Sequence, residues 1–467
     1  MQNFSRDEFL ERSISALKNA RPEFSAERTF TRGQGAVLLA IPLLALVLFF
    51  VWPAALGAAA AIFCALAYIA NGVFRALLVW VGAGEPAKPA APVKKFPLYT
   101  ILVPLYREAN VLPQLINALR ALDYPKKKLD IKLILEADDA ETIAAAEAMA
   151  LEKCFEIIRV PVCEPRTKPK ACNYALNFAR GEFVVIYDAE DRPEPDQLKK
   201  AVAAFRAAPL RIACLQARLN FFNATENFLT TMFALDYALW FDFLLPGLDR
   251  LGVPMPLGGT SNHFRADALR AIHGWDPYNV TEDADLGIRL AQMGYRVATL
   301  DSTTFEEATN ELGNWMRQRS RWLKGYMQTW LVHMRNPRGL LRNAGWRGFF
   351  CFQLFIGGTI LTALTSPILW ALSLLPLVPG IPPMPDPFGI IIPVPVIGLL
   401  IGNSLFTYLA MLGPYRRGWL SLSPYGLAAP FYWLLISLAG YRGAIQLFTK
   451  PWHWEKTRHG TSKMLSA

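Results

Sequence analysis

A long apolar run near the start of the chain limits the possible folds more than any other feature. Residues 35–81 hold a single charged side chain, Arg75. One membrane span needs about 20 residues, so the run is long enough for two spans. We therefore predict a transmembrane hairpin over 34–82, with helices near 35–52 and 54–80 and a turn at Trp52 and Pro53.

The composition of the chain agrees with a membrane protein that carries a soluble part. Hydrophobic residues make up 53% of the 467 residues and charged residues 18%, against about 25% charged in typical soluble proteins. The net charge of +10 favours anionic partners such as phosphates or acidic lipid headgroups. Nucleic acid is not an expected partner, because the basic residues cluster at membrane junctions and no recognition motif occurs.

Residues 97–330 have the pattern of an α/β domain, which follows a linker rich in Pro, Ala and Lys at 85–95. Apolar strands at 96–106, 130–139, 156–160 and 182–191 alternate with segments of helical spacing. This order is typical of a mainly parallel sheet. In such a sheet, ligands bind at the carboxyl ends of the strands.

Apolar segments return after this domain, at 348–379, 388–412 and 425–448. The junction 331–347 and the turn 413–424 carry arginines, so the positive-inside bias places them in the cytoplasm with the segment 1–33 and the domain 97–330. The loop 380–387 is then outside. The region 348–448 is predicted to hold two to four spans. Segment 348–379 could cross twice through a break at Pro367, and segment 425–448 could span, re-enter or lie at the interface. The tail, 449–467, is predicted to be cytoplasmic.

Two acidic clusters follow predicted strands, Asp138-Asp139 and the sequence DAED at 188–191. A solvated turn would explain either cluster, because Asp and Glu are common in turns and at helix starts. The alternative for DAED is a metal site in which Asp188 and Glu190 bind Mg²⁺ or Mn²⁺, since such ions prefer a few hard oxygen ligands together with phosphate. The metal would offset the charge on a departing diphosphate.

The sequences TEDAD (281–285) and QRSRW (318–322) are open to two interpretations each. TEDAD could be a capped helix start, or Asp283 could be a general base that accepts a proton from an attacking hydroxyl group. QRSRW could be a basic stretch at a membrane surface. Alternatively, its arginines could clamp an anionic ligand and its tryptophan could be a platform for a flat one. Arg319 and Ser320 keep the surface interpretation.

All four motifs occur in one α/β domain beside membrane segments, and together they resemble the membrane-integrated, processive branch of family 2 glycosyltransferases. This branch includes cellulose, chitin and hyaluronan synthases. The resemblance is carried by VPLYREANVLPQLINAL (103–119), KPKACNYAL (168–176), DAEDRPEPDQL (188–198), GGTSNHFR (258–265), TEDADLGIRLAQMGYR (281–296) and QRSRWLKG (318–325). It implies a nucleotide-sugar-binding domain of the GT-A type inserted between transmembrane helices.

The resemblance also implies a role for individual residues. Asp283 would be the catalytic base, and Asp188 and Glu190 would hold Mg²⁺ or Mn²⁺, with Asp191 as a substitute because the usual DxD is DxE here. The implied donor-binding residues are Tyr106, Glu108, Asp138, Lys170, Asp188 and Arg321. The implied acceptor-binding residues are Gln318, Trp322 and Glu282. Residues 451–460, with Lys456 and Thr457, are similar to a gating loop over the nucleotide, although an interfacial anchor is the plainer interpretation.

The implied function is inverting transfer from UDP-glucose or UDP-N-acetylglucosamine to a growing beta-linked polysaccharide, coupled to its export across a bacterial inner membrane. Implied partners are the lipid bilayer, a glycan or lipid-linked acceptor, and an accessory export subunit. Two alternatives stay open. The chain could glycosylate a polyprenyl phosphate or membrane lipid once, or it could be a catalytically inactive partner subunit.

Overall fold

The computed structural model describes residues 5–84, 95–375 and 393–463, together with residues 91, 93, 378–379, 386, 389 and 391. The predicted linker 85–95 and the predicted outer loop 380–387 lie mostly outside the described residues.

Three helices precede the sheet: α1 (Arg6–Ala20), α2 (Arg32–Val51) and α3 (Pro53–Gly82). The start of α1 is fixed by a capping box, in which Ser5 and Glu8 bond to each other's backbone amides. Trp52 separates α2 from α3, and Pro53 starts α3, where its fixed φ and missing N–H are tolerated. These two helices therefore meet at the residues at which the sequence predicts a turn.

The central sheet contains eight strands. They are β1 (Tyr99–Leu105), β2 (Leu129–Glu136), β3 (Phe155–Val160), β4 (Phe183–Ile186), β5 (Arg192–Pro193), β6 (Ile212–Phe221), β7 (Asn262–Arg265) and β8 (Arg296–Glu306). Their order is β3-β2-β1-β4-β7-β6-β8-β5. Strands β3, β2, β1 and β4 are parallel neighbours, β6 and β8 are also parallel, and the pairings of β7 and β5 are antiparallel. The prediction of a mainly parallel sheet is confirmed.

Alternate residues of the central strands pack into two apolar layers, one on each face of the sheet. Ile101 and Val103 of β1 join Val185 of β4 in one layer, whereas Leu102 and Val184 lie in the other. This alternation follows from the two-residue period of a strand. Because both faces are buried, β1 and β4 are almost entirely apolar, which made them recognisable in the sequence. Strand β2 also buries Asp130 and Lys132, which pair with each other at 2.9 Å.

Helices cover the sheet and connect it to the apolar segments. The domain helices are α4 (Leu112–Arg120), α5 (Ala140–Ala148), α6 (Lys168–Leu176), α7 (Gln197–Ala207), α8 (Phe228–Leu239), α9 (Leu245–Leu251), α10 (Ala266–Ala271), α11 (Glu282–Gln292) and α12 (Leu312–His333). The later helices are α13 (Pro337–Phe352), α14 (Gly358–Leu374), α15 (Pro393–Leu412) and α16 (Ala429–Thr449). Gly345 interrupts α13 with a φ of 69°, a conformation that glycine adopts without steric cost.

Six stretches of the described residues are long and apolar enough to cross a membrane. They are Arg32–Val51, Pro53–Gly82, Phe228–Leu251, Pro337–Leu374, Pro393–Arg417 and Leu420–Thr449. The stretch Phe228–Leu251 lies within the predicted α/β domain and was not foreseen as apolar enough to span. Helix α14 continues through Pro367, so the described helix does not match two crossings divided at that proline.

Both flanks of α16 are bonded to the α/β domain. Before it, Arg417 forms a bidentate ion pair with Asp242 at 2.5 and 2.8 Å. After it, the backbone carbonyl of Lys450 accepts a hydrogen bond from the Lys324 ammonium of α12 at 3.1 Å. Both ends of α16 are thus held against residues of the predicted domain 97–330.

Helix α12 is held tightly from two sides, and this close packing positions its side chains. At Gly443 of α16, an added Cβ would lie 2.8 Å from the carbonyl oxygen of Ser320. At Gly325, an added Cβ would lie 2.3 Å from Oγ1 of Thr281, just before α11. Because Gly443 and Gly325 have no side chain, α12 can pack closely against α16 and against the start of α11.

Candidate active site

A cavity of about 260 Å³ lies at the carboxyl ends of β1, β2 and β4, and we call it the donor cavity. Tyr106 and Glu108 follow β1, and Asp188 and Glu190 follow β4; all four line the cavity. The opposite wall comes from α11, α12 and the C-terminal tail. The site therefore occupies the edge of the sheet at which parallel strands are expected to bind ligands.

Four carboxylates crowd one side of the donor cavity: Asp188, Glu190, Asp191 and Glu306. Burial, together with the charges of neighbouring carboxylates, raises the pKa of Glu190, Asp191 and Glu306 well above their usual values. Asp191 accepts hydrogen bonds from the Asp188 amide at 2.7 Å and from the Thr260 hydroxyl. Such a concentration of buried negative charge is stable only with a compensating cation or with protons.

The donor chemistry of this group fits the predicted Mg²⁺ or Mn²⁺. Within the described part of the chain, no three His, Cys, Asp or Glu side chains are grouped so that they could hold a metal ion by themselves. Mg²⁺ is usually bound by one or two carboxylates together with the phosphates of a substrate, so Asp188 and Glu190 are a sufficient protein contribution. Two further buried oxygens, Oδ1 of Asp191 and Oε1 of Glu306, have no hydrogen-bond partner among the described residues.

The lysine that faces the donor cavity is Lys168, whereas the sequence resemblance pointed to Lys170. The Lys168 ammonium pairs with Asp188 and donates to the carbonyl of Gly259 at 2.9 Å. Lys170 is completely buried and pairs with Glu136 at 2.9 Å. The two side chains separate because residues two apart on a helix do not share a face. We therefore assign Lys168 to the donor cavity and Lys170 to the interior.

The far end of the donor cavity is lined by an aromatic ring with cations around it. Arg107, Arg166 and Lys456 lie 5.1, 5.5 and 5.5 Å from the centre of the Tyr106 ring. Asp138 is exposed at the rim and pairs with Arg166 at 2.5 Å, and this pairing lowers the pKa of Asp138. The predicted donor residues Tyr106 and Asp138 therefore lie at one end of the site, with Arg166 between them.

Glu282 and Asp283 form the first turn of α11 and reach the other end of the donor cavity. Thr281 is the N-cap residue and the first turn is acidic, as the capped-start interpretation of TEDAD expects, but the Thr281 side chain makes no capping hydrogen bond. Oδ1 of Asp283 accepts the Ala284 amide at 2.7 Å. Oδ2 faces Gly259, where an added Cβ would come within 3.2 Å of it. Oδ1 is thus fixed by a backbone amide, whereas Oδ2 faces the space that the missing side chain of Gly259 leaves open.

Burial changes the acidity of both carboxyl groups. Burial, reinforced by the Asp283 charge, raises the pKa of Glu282 to about 8. Burial also raises the pKa of Asp283, while the Ala284 amide, Lys168 and Arg321 oppose the rise. Both effects favour the protonated, neutral form of Glu282 beside an ionised Asp283. Pairs of carboxyl groups whose environments separate their acidities are typical of acid–base sites.

The QRSRW motif lies on α12 above these carboxylates. Arg321 lines the donor cavity, 4.3 Å from the ring centre of Trp454 in the tail, and donates to the carbonyl of Val280 at 3.3 Å. Gln318 also lines the donor cavity. Trp322 reaches both the donor cavity and a second cavity.

The C-terminal tail lies across the donor cavity. Lys456 pairs with Glu108 at 3.2 Å, and His459 lies 3.2 Å from Glu190. Beyond them, the amides of Gly460, Thr461 and Ser462 all donate to the carboxylate of Glu307 at 2.5 to 2.8 Å. Trp454 and Thr457 also line the cavity. The segment 451–460 therefore borders the donor cavity, and its role as a gating loop stays a prediction.

The second cavity, also about 260 Å³, runs from Asp283 toward the apolar helices, and we call it the acceptor cavity. It shares Tyr237, Gly259, Asp283 and Trp322 with the donor cavity. Its deeper lining includes Tyr68 of α3, Thr362 and Ser366 of α14, Asn403 of α15, and Trp433 and Ser437 of α16. The two cavities thus meet at the carboxylate of Asp283.

Two predicted acceptor residues lie on the donor side instead. Glu282 and Gln318 line the donor cavity and are absent from the lining of the acceptor cavity, whereas Trp322 lines both. Arg319, which the sequence assigned to a basic surface, lines the acceptor cavity and pairs with Asp236 at 3.1 Å. Sequence reasoning also missed Lys168. In both cases the sequence contained a clue, because a second basic residue stands two positions before the predicted one: Lys168 before Lys170, and Arg319 before Arg321.

The model of glycosyl transferase family group 2 matches residues 183–436, more than half of the chain. The chain belongs to this family. The match begins at β4 and ends in α16, so it includes DAED, TEDAD, QRSRW and much of the apolar region. The family predicted from the sequence is therefore confirmed, and a transferase is the enzyme class that it supports.

Curated relatives of this family 2 chain match about half of its length and about half of theirs. A beta-monoglucosyldiacylglycerol synthase of Trichormus variabilis is 27% identical over 253 residues, 52% of this chain and 53% of that protein. A probable glucomannan 4-beta-mannosyltransferase of Arabidopsis thaliana is 26% identical over 239 residues, 49% of this chain and 43% of that protein. One relative is named for a lipid product and the other for a polysaccharide, so the family alone does not single out the processive branch.

A solved structure shows the same fold. The mannosyltransferase of Pyrobaculum calidifontis, in complex with GDP-Man and Mn²⁺, gives a TM-score of 0.53 at 20% identity, over 84% of this chain and 99% of that one. This likeness confirms the predicted GT-A-type fold.

Proposed function

We propose that this family 2 chain transfers a sugar, with inversion, from a nucleotide diphosphate sugar to a hydroxyl group of an acceptor held at the membrane. The single observation that carries the proposal is the junction of the two cavities at Asp283. One cavity has the cations and carboxylates suited to a diphosphate and its metal, and the other opens toward apolar helices. A base at their junction can act on an acceptor from one side and a donor from the other.

Each residue at the junction has a role in this proposal. Asp283 accepts the proton of the acceptor hydroxyl through Oδ2, and the hydroxyl oxygen attacks the anomeric carbon from the side opposite the leaving group. Arg321 and Lys168 stabilise the negative charge of the departing diphosphate, because a guanidinium can form two parallel bonds to phosphate. Trp322 supports the sugar ring with its apolar face.

Inversion is supported by the relatives, two of which are named for beta-linked products. A divalent cation held by Asp188 and Glu190 would supply Lewis-acid stabilisation of the diphosphate. The nucleobase would lie against Tyr106, with Arg166 and Asp138 at its edge. We propose UDP as the nucleotide and glucose or N-acetylglucosamine as the sugar, the donors that the sequence resemblance implies.

The first candidate acceptor is the end of a beta-linked glycan that passes into the membrane, as in the synthases that the sequence resembles. The acceptor cavity supports it with aromatic rings for stacking, among them Tyr237, Trp240, Tyr326 and Trp433. Hydroxyl and amide side chains line the same cavity between those rings. Rings with polar groups between them are suited to sugars, which have apolar faces and hydroxyl edges.

The second candidate acceptor is a membrane lipid with a free hydroxyl group. Two observations favour it. One is the relative named for a monoglucosyldiacylglycerol. The other is the path of the acceptor cavity between α3, α14 and α15, which belong to stretches long and apolar enough to span. Both candidates place the chain in a membrane, and we propose the bacterial inner membrane, with the α/β domain on the cytoplasmic side where nucleotide sugars occur.

The test is an assay of purified protein in neutral detergent with a panel of UDP-sugars and Mn²⁺. We would measure nucleotide release, and separate the products by size and by extraction into organic solvent. A polymer supports the glycan acceptor, and a labelled lipid supports the lipid acceptor. Asp283→Asn should lower turnover by about 10²–10⁴-fold, as expected for loss of a general base, while donor binding is retained. Near-normal turnover of Asp283→Asn would overturn the proposal.

A further inference from the structure

The acceptor cavity is lined by a half-buried cation that the proposed reaction does not use. Arg75 of α3 lines the cavity. Its Nε donates to Oδ1 of Asn71 at 3.1 Å, and its Nη2 donates to Oγ1 of Thr359 at 2.9 Å. The rings of Phe355 and Phe406 lie 5.9 and 5.7 Å from the guanidinium carbon. The side chain is therefore fixed in orientation by neutral partners on two helices.

The charges around the cavity leave Arg75 without a matched anion. Asp236 pairs with Arg319, the other cation of the lining, at 3.1 Å, and it also interacts electrostatically with Arg75 without forming an ion pair, so one carboxylate serves two cations. Asp283, the other carboxylate, lies at the junction, where Lys168 and Arg321 face it from the donor side. Among the described residues, no carboxylate lies within ion-pair distance of Arg75. A guanidinium in a membrane helix is expected to have an anionic partner or access to water, because its burial alone is costly.

The position of Arg75 along α3 corresponds to the level of lipid headgroups. Helix α3 has 30 residues, about 45 Å at 1.5 Å per residue, and the hydrocarbon core is about 30 Å thick. A centred helix would therefore extend about 7 Å beyond the core at each end. Arg75 is seven residues before Gly82, about 10 Å from that end of the helix. Its guanidinium thus lies close to the boundary between the acyl chains and the headgroups.

We propose that Arg75 binds the phosphate group of a hydroxyl-bearing phospholipid, and that this lipid is the acceptor. The inference rests on the proposed function and specifies its substrate class. The lipid phosphate lies on Arg75, and the acyl chains leave between the apolar helices. The headgroup hydroxyl reaches Asp283, past the side chains of Tyr237 and Tyr326.

The chemical step is the one already derived, and the lipid phosphate takes no covalent part in it. The headgroup oxygen forms a bond to the anomeric carbon, and its proton passes to Asp283. The bond between that carbon and the diphosphate oxygen breaks, and the nucleotide diphosphate leaves with the electron pair. The phosphate on Arg75 keeps its charge throughout, so Arg75 acts in acceptor binding and not on the reacting atoms.

The test compares phosphatidylglycerol with diacylglycerol as acceptors in mixed micelles of neutral detergent. Both have a free hydroxyl group, but only phosphatidylglycerol has a phosphate. We expect Arg75→Gln to raise the KM for phosphatidylglycerol by about 10- to 100-fold, the range for loss of a hydrogen-bonded charge. The KM values for the nucleotide sugar and for diacylglycerol should not change. Arg338→Gln, which removes an exposed arginine of α13, is the matched control and should change none of these values.

A second variant covers the case in which Arg75→Gln does not fold. Thr359→Val removes the hydroxyl that orients Arg75 and should raise the same KM selectively, by a smaller factor. With the unmodified protein, glycerol 1-phosphate should inhibit transfer to phosphatidylglycerol, and glycerol at the same concentration should not.

Three results would overturn the inference. Equal use of the two lipids, with equal effects of Arg75→Gln on both, would make Arg75 a structural residue and leave the proposed function intact. If undecaprenyl phosphate were the sole acceptor used, the attacking atom would be a phosphate oxygen and not a lipid hydroxyl, which would contradict the proposed acceptor. Absence of nucleotide release with every acceptor and donor would refute the proposed function itself.

Discussion

The assignment of two neighbouring lysines gives a prediction whose size can be worked out from their surroundings. Lys170 has 0% of its side chain exposed and pairs with Glu136, which has 10% exposed. Removal of one partner of a buried ion pair costs about 3–5 kcal/mol, since the other charge is left uncompensated. Glu136 also borders the donor cavity, where water can reach it. We therefore expect the free energy of unfolding to fall by about 3 kcal/mol in Lys170→Met, the lower end of that range.

The matched variant is Lys168→Met, two residues earlier. Lys168 pairs with Asp188 inside the donor cavity and donates to Gly259, so its loss should act on the donor. We expect the KM for the nucleotide sugar to rise by about 10- to 100-fold, as for a lost hydrogen bond to a charged group. Its thermal midpoint should change less than that of Lys170→Met.

The assay is thermal unfolding of both variants in the same detergent, followed by steady-state kinetics below the lower midpoint. A third variant, Lys170→Met with Glu136→Leu, removes the whole pair and should recover most of the lost stability, because an apolar replacement of a buried pair is often neutral. The reasoning is refuted if Lys170→Met unfolds at the normal temperature and binds donor poorly while Lys168→Met binds it normally. That result would restore Lys170 to the donor site.

Three further predictions concern the acid–base pair, the metal and the tail. Burial raises the pKa of Asp283, and Asp283 must be ionised to accept a proton, so kcat/KM should fall with decreasing pH at a value above the ordinary aspartate pKa of about 3.9. Glu282→Gln replaces a carboxyl group that is neutral while Asp283 titrates with a neutral amide, so this limb should stay in place; a limb that moves to lower pH would show that Glu282 is ionised in that range. Asp188→Asn should raise the Mn²⁺ concentration for half-maximal rate by at least the ~10–100-fold that loss of an outer-shell residue causes, and an unchanged titration would exclude Asp188 as a ligand. Trp454→Ala removes the ring beside Arg321 and should raise the donor KM by about 2- to 30-fold, the value of a cation–π contact; an unchanged donor KM would show that the tail does not act on the donor.

The sequence predicted the donor half of the site better than the acceptor half. Strands β1, β2 and β4 are mostly apolar, and acidic clusters follow β2 and β4, so both the sheet and the edge at which Asp188 and Glu190 lie could be inferred from local pattern. The lining of the acceptor cavity comes from helices far apart in the chain, such as those that carry Tyr68, Asn403 and Trp433. No local spacing connects such residues. The return of the tail onto Glu307 is likewise a long-range contact.

A helix has 3.6 residues per turn, and this periodicity accounts for the roles of all five residues of QRSRW on α12. Successive side chains are about 100° apart. With Gln318 at 0°, Arg321 lies near −60°, Trp322 near +40° and Arg319 near +100°. The observed linings follow this order: the first two face the donor cavity, Trp322 lies between and faces both cavities, and Arg319 faces the acceptor cavity.

Ser320, near 200° on the same wheel, points away from both cavities, on the side where α16 packs at Gly443. The motif spacing Q-x-x-R-W therefore selects the arc of α12 that faces the donor and the junction. The same spacing leaves its first variable position, Arg319, on the adjoining arc. Arg319 lines the acceptor cavity and not the donor cavity. We therefore expect a substitution of Arg319 to act on acceptor binding and to leave donor binding unchanged, because its side chain lies on a different arc of α12 from Gln318 and Arg321.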